Sequence, residues 1–349
     1  MEHLIYHLKS GAEMSMREIA AATEFLLDQH ASAEKKAHFL EALAIKGETP
    51  AEIAGFVETF LERAINPNID LLERNAPTID MCGTGGDHLN LFNVSTTAMF
   101  IVAAAGGIVV KHGNRGITSK SGGADVLEAL DVKIDLAPDD FRRCVELAGM
   151  GFLFAPIYHP AFKSVVEARK LLGQKKVRTI FNMIGPLLNP VRPECQLVGV
   201  FSPDLCPVFA EILQRLGRKR AWVVSGSTSD GRHLDEVSTM GSTRICKSGI
   251  HQAMDDKEIH PSEFGIDTAQ PADLQGGDAK ENAIILENIL SGKEIGARRD
   301  IVLFNAATTL ACAGLSDHIG EGLEIAKTCI ADGSALEKLR MLQKYSRLT

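Results

Sequence analysis

The chain has 349 residues, room for two domains at about 100–200 residues each. Hydrophobic residues make up 45% and charged residues 23%, which excludes a disordered or collagen-like protein. A net charge of −8, from 45 acidic and 37 basic residues, argues against broad binding to nucleic acid or an anionic membrane.

Residues 1 to about 71 read as all-helical. Ser15-Met16-Arg17-Glu18 and Thr49-Pro50-Ala51-Glu52 have capping-box spacing, the second with proline at the first helical position. Ile53, Phe56, Val57, Phe60 and Leu61 then form one apolar stripe, which needs cover from the rest of the chain or from a second subunit. From Pro77 the texture changes. Short apolar strands are predicted at Thr78–Met81, Ile108–Lys111, Phe152–Phe154, Gln196–Phe201 and Ala221–Ser225. Helices are predicted at about Thr96–Ala105, Gly122–Leu130, Pro138–Ala148 and Leu205–Leu216, and Val237–Lys247 reads as hairpin-like. Residues from Asn282 to Met341 hold three or four more helices. This alternation predicts an α/β fold: a small all-helical domain plus a larger domain with a mostly parallel central sheet covered by helices.

The longest apolar stretch, Ala98 to Val110, contains Gly106 and Gly107 and falls short of the roughly 20 residues of a membrane span. The first residues show no basic region followed by an apolar one, so no secretory signal is read and the expected location is cytoplasmic. The seven cysteines are scattered without a C-x-x-C pair, the pattern of buried thiols rather than of disulfides or a zinc site.

Ligands of such sheets sit where strands end and loops enter helices. Gly83-Thr84-Gly85-Gly86-Asp87 follows the first strand, and its glycines allow positive φ and close backbone approach. Neither the G-x-G-x-x-G nor the G-x-x-x-x-G-K-[ST] pattern is present. Asn93-Val94-Ser95-Thr96 opens the next helix, a place for capping or for an anion. Lys111-His112-Gly113-Asn114-Arg115-Gly116-Ile117-Thr118-Ser119-Lys120-Ser121-Gly122 gathers cations, short hydroxyls and glycines directly after a buried strand. Lysine supplies a point charge and arginine a planar fork, both suited to phosphate oxygens. Three such pieces at consecutive strand ends point to a phosphorylated ligand. Asp235-Glu236 then becomes a candidate magnesium site, since Mg²⁺ takes one or two carboxylates plus phosphate oxygens.

These segments, with Arg178-Thr179-Ile180-Phe181-Asn182, Gly185-Pro186-Leu187, Asn189-Pro190 and Gly276-Gly277-Asp278 through Asn282-Ala283, resemble the anthranilate phosphoribosyltransferase family of the nucleoside phosphorylase-like class over almost the whole chain. The resemblance implies a helical domain of residues 1–71 plus about 159–190 and an α/β domain of 72–158 and 191–349. It also implies a homodimer formed through the helical domain, with no nucleic-acid or membrane partner. The reaction it implies joins the amine of anthranilate to the sugar of 5-phosphoribosyl 1-pyrophosphate. Around that sugar diphosphate it places Gly83, Gly86, Asp87, Leu91, Asn93, Val94, Ser95, Thr96, Lys111, His112, Gly113, Asn114, Arg115, Gly116, Ile117, Thr118, Ser119 and Gly123. Gly83, Asn114 and Arg169 would meet anthranilate, Arg169 pairing its carboxylate, with His112 and His159 as neighbours. Ser95, Asp235 and Glu236 would serve two Mg²⁺ ions. No acid or base is assigned, because an aromatic amine is already neutral near pH 7. Leu91, where the family usually has Thr or Ser, Gly123, Asp131, Ser225 and the longer stretch Gly173–Val177 depart from the family pattern. A phosphate-using nucleoside phosphorylase and a non-catalytic nucleic-acid binder are the rival readings, and KHGN followed by RTIFN favours the transferase.

Overall fold

The computed structural model describes residues 1–69, 72–73, 75–87, 89–116 and 120–348. Four helices open the chain: α1 (Glu2–Lys9), α2 (Met16–Leu27), α3 (Ala33–Lys46) and α4 (Pro50–Leu61). Both expected capping boxes form. Glu18 accepts the Ser15 amide at 2.8 Å and Glu52 the Thr49 amide at 2.9 Å, and each Ser or Thr hydroxyl accepts in return. Amides that a helix start leaves without partners are thereby satisfied.

The α/β part follows as β1 (Thr78–Gly83), α5 (Val94–Ala104), β2 (Ile108–Gly113), α6 (Gly123–Ala129), α7 (Pro138–Ala148) and β3 (Met150–Phe154). Next come α8 (Ala155–Tyr158), α9 (Val166–Gln174), β4 (Cys195–Gly199), α10 (Leu205–Arg215), β5 (Arg220–Ser227), β6 (His233–Leu234), β7 (Thr243–Gly249) and β8 (Gln252–Ile259). Four helices end the chain: α11 (Ala279–Leu290), α12 (Ala297–Ala313), α13 (Ile319–Ala331) and α14 (Ser334–Tyr345).

The strands form one sheet in the order β3-β2-β1-β4-β5-β7-β8, with β6 paired to β5. The first five are mutually parallel. Their near-continuous apolar runs suit burial on both faces. The chain starts at the centre with β1, moves outward to β3, then returns to the other side of β1 with β4. That reversal opens a crevice beyond the carboxyl ends of β1 and β4.

One expectation needs correction. The hairpin does not span Val237–Lys247; it is β7 with β8, in register from Thr243↔Ile259 to Gly249↔Gln252. Val237 and Met240 are buried in an irregular segment instead. The partner strand β8 is an exposed edge carrying Asp255, Asp256, Lys257 and Glu258, so it shows no apolar alternation to read.

The apolar stripe of α4 is covered by the chain itself. Ile53, Phe56, Val57 and Phe60 are no more than 1% exposed, and α4 packs on α2 and α10. Residues 159–190 return to this helical layer, with α9 against α3. The buried Lys36 ammonium caps the junction by donating to the carbonyls of Ser164 (2.8 Å) and Asp28 (2.6 Å). The same core runs on through Phe209, Ile212 and Leu213 of α10 to Val198 and Val223 of the sheet.

Candidate active site

At the crevice, Gly83 of β1 stands in register with Gly199 of β4. A Cβ on Gly83 would lie 2.0 Å from the Asp235 Oδ2, and one on Gly199 would lie 1.6 Å from the Asp235 carbonyl oxygen. Only glycine at both strand ends lets the Asp235 segment descend between them. The Asp235 carboxylate then accepts the Gly85 amide at 2.6 Å. Gly85 and Gly86 have φ of 70° and 90°, a left-handed turn in which a side chain would be strained.

Helix α5 begins beside this turn without a side-chain cap. Asn93 instead donates to the Ser121 carbonyl at 3.2 Å and accepts from Asn282 at 2.9 Å, tying the helix start to α11 and to the end of the basic loop. The Ser95 amide donates to Glu236 at 3.2 Å. Lys111, 3% exposed, donates to the Met81 carbonyl and, at 3.3 Å, to the Ser95 hydroxyl. Four segments distant in sequence thus meet in one cleft.

Burial pushes the Asp235 carboxyl well above the usual carboxylate range, and the charge of Asp87 raises it further. Glu236 is raised by burial and by Asp235, while Lys111 draws it back. The cleft therefore gathers, among the described residues, the carboxyls of Asp87, Asp235 and Glu236 around the Lys111 ammonium. Among the described residues no three His, Cys, Asp or Glu side chains are set to hold a metal alone. A hard cation on Asp235, Glu236 and Ser95 would complete its shell with oxygens of a bound ligand and water, as Mg²⁺ does.

The loop after β2 is closed by Asp125, which accepts the amides of Gly116 (2.9 Å) and Gly122 (2.8 Å). A Cβ on Gly122 would meet the Gly116 nitrogen at 2.4 Å, so this closure also requires glycine. The Arg115 guanidinium pairs with Asp125 and Glu128 and lies over Phe154, so its charge is spent on holding the loop. Asn114 is exposed at the loop's start and accepts the Arg115 amide. Ile117, Thr118 and Ser119 lie outside the described residues. A Cβ on Gly123 would be 2.9 Å from the Thr96 hydroxyl, which accounts for the bare glycine there. Leu91 bridges to Gln275 and packs on the core. Val94 and Thr96 are each 2% exposed and seat the helix. Gly113 stands against Phe152, where a Cβ would meet the ring at 2.8 Å.

A second wall comes from residues 159–190. The His112 ring meets His159 edge-on at 5.4 Å, His159 stacks on Phe162 at 5.1 Å, and Phe162 meets Phe181 edge-on at 5.7 Å. Arg169 lies over Phe181 at 5.5 Å and has no carboxylate partner among the described residues. His159 is fixed by the Leu188 carbonyl at 2.8 Å, whereas the buried His112 Nε2 has no partner among the described residues. Burial first, then His159, lowers His112 to about 3, so the ring is neutral. Phe162 is not singled out by the sequence, and Phe181 stands there only as part of the Arg178–Asn182 motif, with no role of its own. Gly199 was missed as well, although a glycine closing a strand is a readable signal, and Asp125, which belongs to the family-like stretch Asp125–Leu130, was given no role. A cavity of about 800 Å³ lined by Arg220, Trp222, Lys247, Phe264 and His318 lies at the amino end of β5, away from all these groups.

Comparison with known proteins gives two family matches: the glycosyl transferase family helical bundle domain over residues 2–64 and its a/b domain over residues 75–336. An anthranilate phosphoribosyltransferase from Desulfosudis oleivorans is 46% identical over 312 residues, 88% of each chain. Among solved structures, the Thermus thermophilus anthranilate phosphoribosyltransferase superposes with a TM-score of 0.88 at 35% identity, covering 99% of both chains. The Saccharomyces cerevisiae enzyme in complex with PRPP and Mg has a TM-score of 0.84 at 28% identity, covering 99% of this chain and 98% of that one.

Proposed function

The chain belongs to the anthranilate phosphoribosyltransferase family of glycosyl transferases, and from that membership we propose how its own residues divide the work. The enzyme transfers the phosphoribosyl group of 5-phosphoribosyl 1-pyrophosphate to the amine of anthranilate, giving N-(5-phosphoribosyl)anthranilate and pyrophosphate, a reaction of tryptophan biosynthesis. One observation carries the residue assignment: Gly83 and Gly199 admit Asp235 to the same cleft that Ser95, Glu236 and Lys111 share.

In this reading the amides of Gly83 to Asp87 and the start of α5, at Asn93 to Thr96, cradle the diphosphate. Leu91 shapes that wall. Lys111 supplies positive charge, His112 to Gly116 with Ile117, Thr118, Ser119 and Gly123 enclose the sugar phosphate, and Arg115 holds their loop shut. Mg²⁺ is the metal of the reaction; we assign it to Ser95, Asp235 and Glu236, with two ions. When bound, it would neutralise charge building on the departing pyrophosphate. Arg169 pairs the anthranilate carboxylate, with Gly83 and Asn114 beside the acceptor, and the neutral His112 adds an imidazole edge. Because the attacking amine is uncharged, the residues have no proton to remove before attack. Their task is to align two substrates, which is worth up to roughly 7–11 kcal/mol of the barrier, and to stabilise the charge of the leaving group.

The helical domain is drawn as residues 1–71 plus about 159–190. With the α4 stripe already covered, the exposed Tyr6, Met16 and Ile45 remain on α1–α3 as apolar surface suited to a homodimer. Among the described residues no helix is long and apolar enough to cross a membrane; we place the enzyme in the cytoplasm. The test is loss of anthranilate fluorescence with and without the sugar diphosphate and Mg²⁺. Turnover needing both supports the assignment, whereas consumption of inorganic phosphate would favour the phosphorylase.

A further inference from the structure

Arg178 has no role in the division of labour above, yet it stands at the mouth of the glycine turn. It lies between α9 and β4, on the segment that packs with the helical layer. Its neighbours are anchored: Thr179 is 4% exposed with its amide held by Asn182 at 2.9 Å, and Ile180 is fully buried. The Arg178 side chain itself is exposed.

An exposed arginine ordinarily wanders or pairs with a surface carboxylate. This one packs on an aromatic ring instead. Its guanidinium carbon lies 4.6 Å from the centre of the Phe201 ring, two residues beyond the strand end where Gly199 admits Asp235. A guanidinium nitrogen comes within 3.8 Å of the point that a Cβ on Gly86 would occupy. No carboxylate pairs with it among the described residues. The ring contact anchors the guanidinium, its N–H groups have no hydrogen-bond partner among the described residues, and a guanidinium fork matches the paired oxygens of a phosphate.

We propose that Arg178 binds the diphosphate end of the sugar substrate, and the pyrophosphate product, from across the cleft. The inference rests on the reading of the Gly83–Asp87 turn as the diphosphate site and adds a charged contact from the opposite wall. Arg169 and Arg178 then divide the same segment between the two substrates, one for the carboxylate of the acceptor and one for the leaving group of the donor.

Pyrophosphate inhibition of the intact enzyme provides the test, measured with Mg²⁺ for wild type, Arg178→Gln, Arg178→Lys and Phe201→Leu. Loss of a charge-assisted contact should weaken inhibition in Arg178→Gln by about tenfold or more. The KM for the sugar diphosphate should rise with it, with the KM for anthranilate and the melting temperature unchanged. Arg178→Lys should recover part of the loss, and Phe201→Leu should show a smaller loss in the same direction. Wild-type inhibition in Arg178→Gln, or a rise confined to the anthranilate KM, overturns the proposal. If pyrophosphate fails to inhibit the wild-type enzyme, the assignment of the glycine turn falls with it; if it inhibits wild type and Arg178→Gln alike, only the role of Arg178 falls.

Discussion

The two walls of the cleft are built on different principles. The sheet rim works through backbone: glycines at Gly83, Gly85, Gly86, Gly122 and Gly199 remove side chains so that amides and one acidic loop can converge. The opposite wall works through side chains, a run of rings from His112 to Phe181 with Arg169 at its end. A backbone site tolerates almost no added atom, because close-packed main chain cannot yield. A side-chain wall can repack, and its substitutions should change preference between substrates more than they abolish turnover.

The largest effect that this contrast requires is at the rim. Gly199→Ala sets a methyl group against the Asp235 backbone and should displace that segment. A shift of about 1 Å costs roughly 100-fold, to be read as kcat/KM beside the melting temperature. Gly173→Ala, where nothing lies within 4 Å, is the matched control and should leave activity intact. Near-normal kinetics in Gly199→Ala would erase the distinction between the walls. Next, Asp235→Asn with Glu236→Gln should lower kcat/KM at least about tenfold, about 1.4 kcal/mol, and raise the Mg²⁺ needed for half-maximal rate. Unchanged rates at limiting Mg²⁺ would remove the metal from these carboxylates.

On the other wall, Arg169→Ala should raise the anthranilate KM about tenfold, the scale of one charge-assisted hydrogen bond, with a much smaller change for the sugar diphosphate. Equal losses for both would show that this wall does not discriminate. The smallest effect concerns His112, held at about 3 by burial and His159. An unfolded histidine takes up its proton near pH 6.5, so between about 6.5 and 3 the unfolded chain binds a proton that the folded one refuses. Stability therefore falls as the solution is acidified through that window. His112→Gln should flatten the fall in melting temperature between about pH 6.5 and 4.5; an identical slope would show that another group sets it.

The rim was legible in sequence because each of its parts is local. A strand, its terminal glycines and the next helix start lie within a few residues of one another, and Asn93, Lys111 and Gly83 announce themselves by position. The two amino-terminal capping boxes were legible for the same reason. What could not be read depends on packing between distant segments. Phe162 and Phe181 look like ordinary core aromatics until α9 is laid against α3. The bond from Asn282 to Asn93 spans 189 positions, and the charged strand β8 has none of the alternation by which strands are recognised. Arg115 shows another limit: its motif suggests a phosphate neighbour, and only the folded positions of Asp125 and Glu128 reveal that it also holds its own loop.

The unbroken hydrophobic interior linking α4, through α10, to one face of β4 and β5 has a practical corollary. The first sixty or so residues are not a detachable module. A truncated enzyme lacking them would lay bare the face of α10 that α4 covers, and should be recovered as aggregate rather than as a smaller catalyst.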